Sequence, residues 1–416
     1  MKTRGSQAFG IGASALTMLA IGAAIAACGG GSTGGLGNGA GTGGAAGSSS
    51  GTGGSSAGGS SSSGADCPGT TSPQNHETCP ASVPTAADCT KVKQRPVEEC
   101  GVLIAAGGTT TPPDIVRTTS TKEYMGTGAP DGSCYAKEKW PAAPGTPQMV
   151  TVTGYARNFA NGCDAAGSKI EIYKVKRTGG ADDGALGDLV GSAINIANTA
   201  CNGDDCMMVN VMSKCDQGNP RIWRKYTYAN VPTETELLIK TSSADGMQGF
   251  AQLYDYNIYI PNSEVQAGVW APPPTGRHDV RVVNIGDYSL IPTTAIGRVL
   301  TAGHGAIAGE VHDCGDVRVS GAYVDVSAPR TDVGYFTDVE DAPLPDPGRT
   351  KDGTSTLGLY AAYDMAPGPV RVSATGSIGG QLTNLGYFDV RVFPDAVTAV
   401  TFRGMRPFQV ANAAGK

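Results

Sequence analysis

Gly321-Ala322-Tyr323-Val324-Asp325-Val326 decides how the chain is read. A glycine-led turn opens onto alternating residues, with Val324 and Val326 in one phase and Tyr323 and Asp325 in the other. Period-two alternation marks a β-strand, and a helix would need apolar residues every three or four positions. Working outward, the same texture runs from Ala306 to Phe402. It also appears earlier, in Val150 and Val152 alternating with Thr151 and Thr153, and in Ile170-Glu171-Ile172-Tyr173. Leu237-Leu238-Ile239 reads as a buried strand, and Tyr254 to Ile260 is aromatic and β-branched.

These segments repeat in order. Val152-Thr153-Gly154-Tyr155-Ala156-Arg157 opens one block and Ile307-Ala308-Gly309-Glu310-Val311-His312 the other. A cysteine follows each, Cys163 or Cys314. Then come Ser168-Lys169-Ile170-Glu171-Ile172-Tyr173 and Gly321 to Val326. An aromatic, polar and proline step follows, Tyr228-Ala229-Asn230-Val231-Pro232 or Tyr363-Asp364-Met365-Ala366-Pro367-Gly368. It leads into Leu237-Leu238-Ile239-Lys240 or Val370-Arg371-Val372. Each block closes on an aromatic strand, Tyr254-Asp255-Tyr256 or Tyr387-Phe388-Asp389-Val390. The order predicts two copies of one all-β module. Val324, Val326, Val372 and Val390 are expected to face the second core. Between the blocks, Ala271-Pro272-Pro273-Pro274 reads as a stiff break. Tyr288 to Leu300 is expected to form a short helix with Ile291, Ala295, Ile296 and Val299 on one side.

The second block resembles the carboxypeptidase regulatory-like domain, a prealbumin-like β-sandwich. The resemblance rests on Gly309-Glu310-Val311-His312-Asp313, Gly321 to Val326, Gly358-Leu359-Tyr360, and Pro367-Gly368 before Val370-Arg371-Val372. The first block departs from the pattern: it lacks a glycine at the Gly-x-Tyr step and carries a polar insertion from Ala200 to Asn219. The resemblance covers about half the chain and implies a non-catalytic accessory or adhesive module. The expected fold is therefore all-β, with two tandem prealbumin-like or Ig-like β-sandwiches behind a disulfide-rich region and a disordered leash.

The start of the chain carries an export pattern. Lys2 and Arg4 precede an uncharged stretch from Phe9 to Ala27. Ile25-Ala26-Ala27-Cys28 resembles the lipobox of bacterial lipoproteins, which implies acylation of Cys28 and cleavage just before it. Acyl chains hold such proteins at a membrane by about 0.8 kcal/mol per buried methylene. Gly29 to Gly64 is almost wholly Gly, Ser, Ala and Thr, a composition that cannot offset its own ordering entropy. Such a leash reaches roughly 30–35 Å. Gly47-Ser48-Ser49-Ser50-Gly51 matches a hydrolase nucleophile pattern, but neither the strand nor the helix it requires fits this composition. The expected organisation is a signal peptide at 1–27, leash at 28–65, Cys-rich region at 66–147, first sandwich at 148–264, linker with short helix at 265–303, and second sandwich at 304–406.

Of eleven cysteines, ten remain beside Cys28: Cys67, Cys79, Cys89, Cys100, Cys134, Cys163, Cys201, Cys206, Cys215 and Cys314. None forms a C-x-x-C pair of the kind zinc sites use. An even set in an exported chain reads as disulfides. The first five precede the first sandwich, the next four fall inside it, and Cys314 stands alone in the second. Because an odd free thiol is unusual in an oxidising compartment, a bond out of the second sandwich is expected, against the simpler reading of Cys314 as a buried thiol, and Cys134, outside the tight Cys67–Cys100 cluster, is the expected partner.

The net charge of −6 disfavours nucleic acid as a partner. Four histidines, His76, His278, His304 and His312, show no H-E-x-x-H spacing. His304, His312 and Asp313 form a nominal metal set, against the simpler reading of surface groups. Asp182-Asp183, Asp204-Asp205 and the stretch Asp338 to Asp346 have calcium-type chemistry but read more simply as solvated loops. Trp223, Tyr226 and Tyr228, beside Arg221, Arg224 and Lys225, are either a ligand-stacking strand or core. The function expected from these residues is a non-catalytic envelope-anchored lipoprotein, outer membrane favoured. It would bind or support at the cell surface, with a protein or glycan partner and no cofactor. The alternative is a secreted hydrolase or its accessory subunit.

Overall fold

The computed structural model describes residues 113–409 apart from 122, 136–140, 160–163, 179–180, 210–220, 274, 329–332 and 341. Cys28, Cys67, Cys79, Cys89, Cys100, Cys163 and Cys215 lie outside the described residues, as do His76, the expected signal peptide and the leash.

The described chain enters on β1 (Val116–Arg117). The first module contains β2 (Met149–Asn158), β3 (Ser168–Val175), β4 (Leu186–Asn195), β5 (Cys206–Val209), β6 (Arg221–Pro232), β7 (Leu237–Ser243) and β8 (Phe250–Ile258). Then come β9 (Val265–Gln266), β10 (Val269–Trp270), β11 (Val280–Asn284) and the helix α1 (Ile285–Ile296). The second module contains β12 (Gly305–Glu310), β13 (Val319–Ser320), β14 (Tyr323–Val326), β15 (Val333–Phe336), β16 (Pro345–Asp346), β17 (Leu359–Met365), β18 (Gly368–Ile378), β19 (Gln381–Val392) and β20 (Ala396–Val400). The fold is all-β and sandwich-like.

The two modules share a topology. β2 lies antiparallel to β6 and parallel to β11. β12 lies antiparallel to β17 and parallel to β20. Opposite these run β3-β7-β8 in one module and β14-β18-β19 in the other, antiparallel throughout. The repeat is therefore structural, and it extends to atomic detail. A Cβ on Gly154 would lie 1.7 Å from the His278 carbonyl oxygen, and one on Gly309 1.7 Å from that of Val400. Each of those carbonyls accepts a tyrosine hydroxyl, Tyr226 at 2.7 Å and Tyr360 at 2.8 Å. Four residues past each tyrosine the backbone turns left-handed at an Asn or Asp, Asn230 (φ 62°) and Asp364 (φ 60°).

Glycine within a strand marks a close backbone approach, and this one fixes a test. Gly309→Ala is expected to cost about 1–3 kcal/mol by overpacking, read as a lower denaturation midpoint. Gly249→Ala, with open space at its Cβ position, is the control. Equal midpoints for the two variants would show that the Val400 carbonyl yields freely.

The expected core positions are buried, although in β14 the other phase, Tyr323 and Asp325, is buried as well. Val324, Val326, Val372 and Val390 are all at most 1% exposed, facing Ile307, Tyr335, Tyr360 and Val400 across the second sandwich. Val150, Val152, Ile170 and Ile172 pack with Tyr228, Val231 and Ile239 in the first.

Three features depart from beads on a string. First, β8 hydrogen-bonds to β20 in parallel, Leu253 opposite Val397 and Asp255 opposite Ala399. One sheet therefore runs from the first module into the second. Second, the stretch 265–303 supplies β9, β10 and β11 to the first-module sheets. Its helix begins at Ile285 because the Asn284 side chain accepts the Asp287 N–H at 2.7 Å, and it stops at Gly297, which adopts φ 75°. Ile291, Ala295 and Ile296 face the sheet as expected, whereas Val299, beyond the cap, is exposed. Third, residues 113–135 dock on the second module although the first follows them in sequence. β1 pairs with β13, and Ile115 and Tyr135 are buried in the second core.

Candidate functional site

The expected bond between Cys134 and Cys314 is present, with Cα atoms 5.6 Å apart across 180 residues. A second bond joins Cys201 to Cys206, Cα atoms 5.7 Å apart. Around the first bond, Arg117 pairs with buried Asp313 at 2.5 Å, and the Asp131 N–H donates to the same carboxylate at 2.8 Å.

From there a chain of charges follows the seam between the modules. Glu123 receives Arg157 at 2.5 and 2.8 Å and Arg281 at 3.3 Å. Burial pushes its carboxyl up, but the Arg157 and Arg281 guanidiniums outweigh it and hold the pKa at about 2. Glu310 receives Arg318 at 2.8 and 3.0 Å and the His312 ring at 2.9 Å. Against burial, those two partners hold it well below the usual carboxylate range. The other nitrogen of the fully buried His312 ring meets Asp316 at 2.7 Å. Tyr124 lies 4.8 Å from that ring, with the Arg403 and Arg318 guanidiniums 5.2 and 5.6 Å from its own centroid.

A helix-roofed cavity adjoins the acidic end of this network. Asp255, Arg281 and Glu310 line that end, and the rest of the wall is almost wholly apolar. Burial pushes the Asp255 carboxyl up to about 7, with Arg403 and Arg281 countering only in part.

The residues singled out from sequence are distributed differently. His304 pairs with Asp364 at 3.4 Å and His312 with Glu310 and Asp316, so the nominal metal set is split between separate partners. Among the described residues no three His, Cys, Asp or Glu side chains are placed to hold a metal. His278 is half-buried and stacks on Trp270, ring centroids 4.8 Å apart, and desolvation lowers its pKa to about 4. Asp182 and Asp183 pair with Lys176 and Arg177. Asp204 and Asp205 form a single 3-10 turn inside the Cys201–Cys206 loop. Asp338 binds Thr356 and Arg349, Glu340 binds Arg318, and Asp346 caps a short 3-10 turn. Tyr226 and Tyr228 are core. Arg224 pairs with Asp164, and Trp223 lies under Arg157 at 4.4 Å.

Sequence reasoning missed Glu123, Arg157, Arg281, Arg318 and Arg403. Their signal was faint but present: Val280-Arg281-Val282 and Val317-Arg318-Val319 place a cation in the phase expected to be wet.

No family model matches the chain, and no curated protein matches it. Among solved structures it is similar to the shaft pilin SpaA from Lactobacillus rhamnosus GG. The unmodified pilin is 11% identical, covering 62% of this chain and 100% of that one, with a TM-score of 0.16. A double mutant of the same pilin gives 11% identity, the same coverage and a TM-score of 0.18.

Proposed function

We propose that this protein is a non-catalytic structural or binding module of the cell envelope, exported and held by acyl chains on Cys28. The observation that carries the reading is mechanical. A continuous sheet through β8 and β20, the Cys134–Cys314 bond and the ion pairs of Glu123 with Arg157 and Arg281 make two sandwiches and their leading segment one body. Of the histidines and acidic pairs the sequence offered, the described ones are mostly engaged in packing, ion pairs and caps, which suits support and presentation better than turnover. A Gly/Ser-rich tether would let that body stand clear of the membrane and meet a protein or glycan, with the outer membrane the favoured site.

Cys28→Ser tests the anchor. In cell fractions the variant is expected to be uncleaved, or released from the membrane pellet. A variant that is cleaved normally and stays with the membrane would rule out acylation at Cys28.

A further inference from the structure

Helix α1 does not seat flush on the sheet beneath it. Ile291 and Pro292 roof a cavity of about 120 Å³ whose floor includes Ala308 of β12, Ala361 of β17 and Ala399 of β20. Interiors normally pack to crystal-like density and leave few voids of this size. Here the cause is local: three adjacent strands each present an alanine under the helix. A dry apolar cavity of about 150 Å³ accepts a benzene-sized guest. This one has a polar end as well, where Asp255, Arg281 and Glu310 line it. Arg281 and Glu310 are already engaged, by Glu123 and by Arg318 with His312. Asp255 differs: among the described residues nothing hydrogen-bonds its carboxyl, which meets the cavity from the middle of β8. An acid left without a partner in a protein interior is costly. A guest with an apolar body and one hydrogen-bond donor would satisfy both the void and the acid.

We infer that the cavity beneath α1 is a binding site for a small amphipathic molecule, with an apolar body about the size of a benzene ring and a hydrogen-bond donor that meets Asp255. The inference is independent of the anchor at Cys28. Burial that brings the Asp255 carboxyl to about 7 leaves its charged form accessible near neutrality, and a donated hydrogen bond favours that form.

The test uses phenol and toluene as probes, titrated calorimetrically into the full chain. Phenol is expected to bind saturably and more tightly than toluene. Asp255→Asn, which keeps the shape, is expected to weaken phenol about tenfold, the order of a hydrogen bond to a charged group, while leaving toluene unchanged. Ala308→Leu, which fills the floor, is expected to abolish both. Absence of saturable phenol binding to the unaltered protein would overturn the inference whatever the variants do. So would equal phenol affinity in Asp255→Asn, or normal binding in a folded Ala308→Leu.

Discussion

Replacing Cys134 and Cys314 by serine will lower the stability of the second module by up to about 5 kcal/mol, the loop-entropy value for a bond closing some 180 residues. Strain relief reduces such figures in practice, so the sharper readout is local. Without the bond, residues 113–135 are still held by the pairing of β1 with β13, the Arg117–Asp313 and Glu123–Arg157 ion pairs, the Asp131–Asp313 and Asp114–Ser377 contacts and the burial of Ile115 and Tyr135, but the end nearest Cys134 loses its covalent tie. Limited proteolysis of the double variant is expected to cut this segment while the remainder of the sandwich resists. A denaturation midpoint and cleavage pattern equal to the unaltered protein would mean that strand pairing alone docks the segment.

Glu310→Ala will be comparably damaging, by about 3–5 kcal/mol, because it leaves the buried Arg318 guanidinium short of its main partner. Glu340 at 3.2 Å retains part of that charge balance and sets the lower end of the range. Replacing Arg318 by Met together with Glu310→Ala is expected to recover much of the loss, since the buried guanidinium is then removed along with its main partner. The pH dependence follows from the same geometry. Glu310 and Glu123 have folded pKa values below their unfolded ones. Their contribution is therefore complete above the unfolded value of 4.5 and is lost as pH falls through the folded values, about 2 for Glu123. Asp255 acts in the opposite sense. Its raised folded pKa costs stability as pH climbs from 3.8 to about 7, above the carboxylate window. Acid denaturation of Glu310→Ala is expected to show a shallower loss below pH 4.5 than the unaltered protein. An equal slope would show that Glu310 contributes nothing to it.

Much of the architecture was legible in residues. Strand phase follows from alternation because side chains on a pleated backbone point to opposite faces. Val324, Val326, Val372 and Val390 are buried on that account. The repeat was legible in Gly154 and Gly309, which stand where two backbones meet, whereas the tyrosines that bond the pressing carbonyls are Tyr226 and Tyr360, not the pair Tyr228 and Tyr363 matched in the sequence. The Cys134–Cys314 bond was legible from parity, since a single cysteine in the second sandwich has to pair elsewhere. The first turn of α1 was misplaced for a local reason: Asn284 caps the helix with its side chain, but asparagine in sequence reads equally well as a loop.

By itself the sequence determined the all-β class, the two related modules, the inward faces of their strands and the pairing of Cys134 with Cys314. Each of these depends on near neighbours, or on a count that holds in any conformation. The docking of residues 113–135 on the second module follows from the expected Cys134–Cys314 bond, whereas tertiary structure alone decided that β8 and β20 join the modules into one sheet and that Glu123, Arg281, Glu310 and Arg318 meet at the seam. An edge strand exposes the same backbone donors and acceptors whatever its side chains, so its partner is not written in them. A charge in the wet phase of a strand reads as solvated until a second body covers it. The cavity under α1 belongs to the same class, because alanines at 308, 361 and 399 leave a void only when a helix is laid across all three.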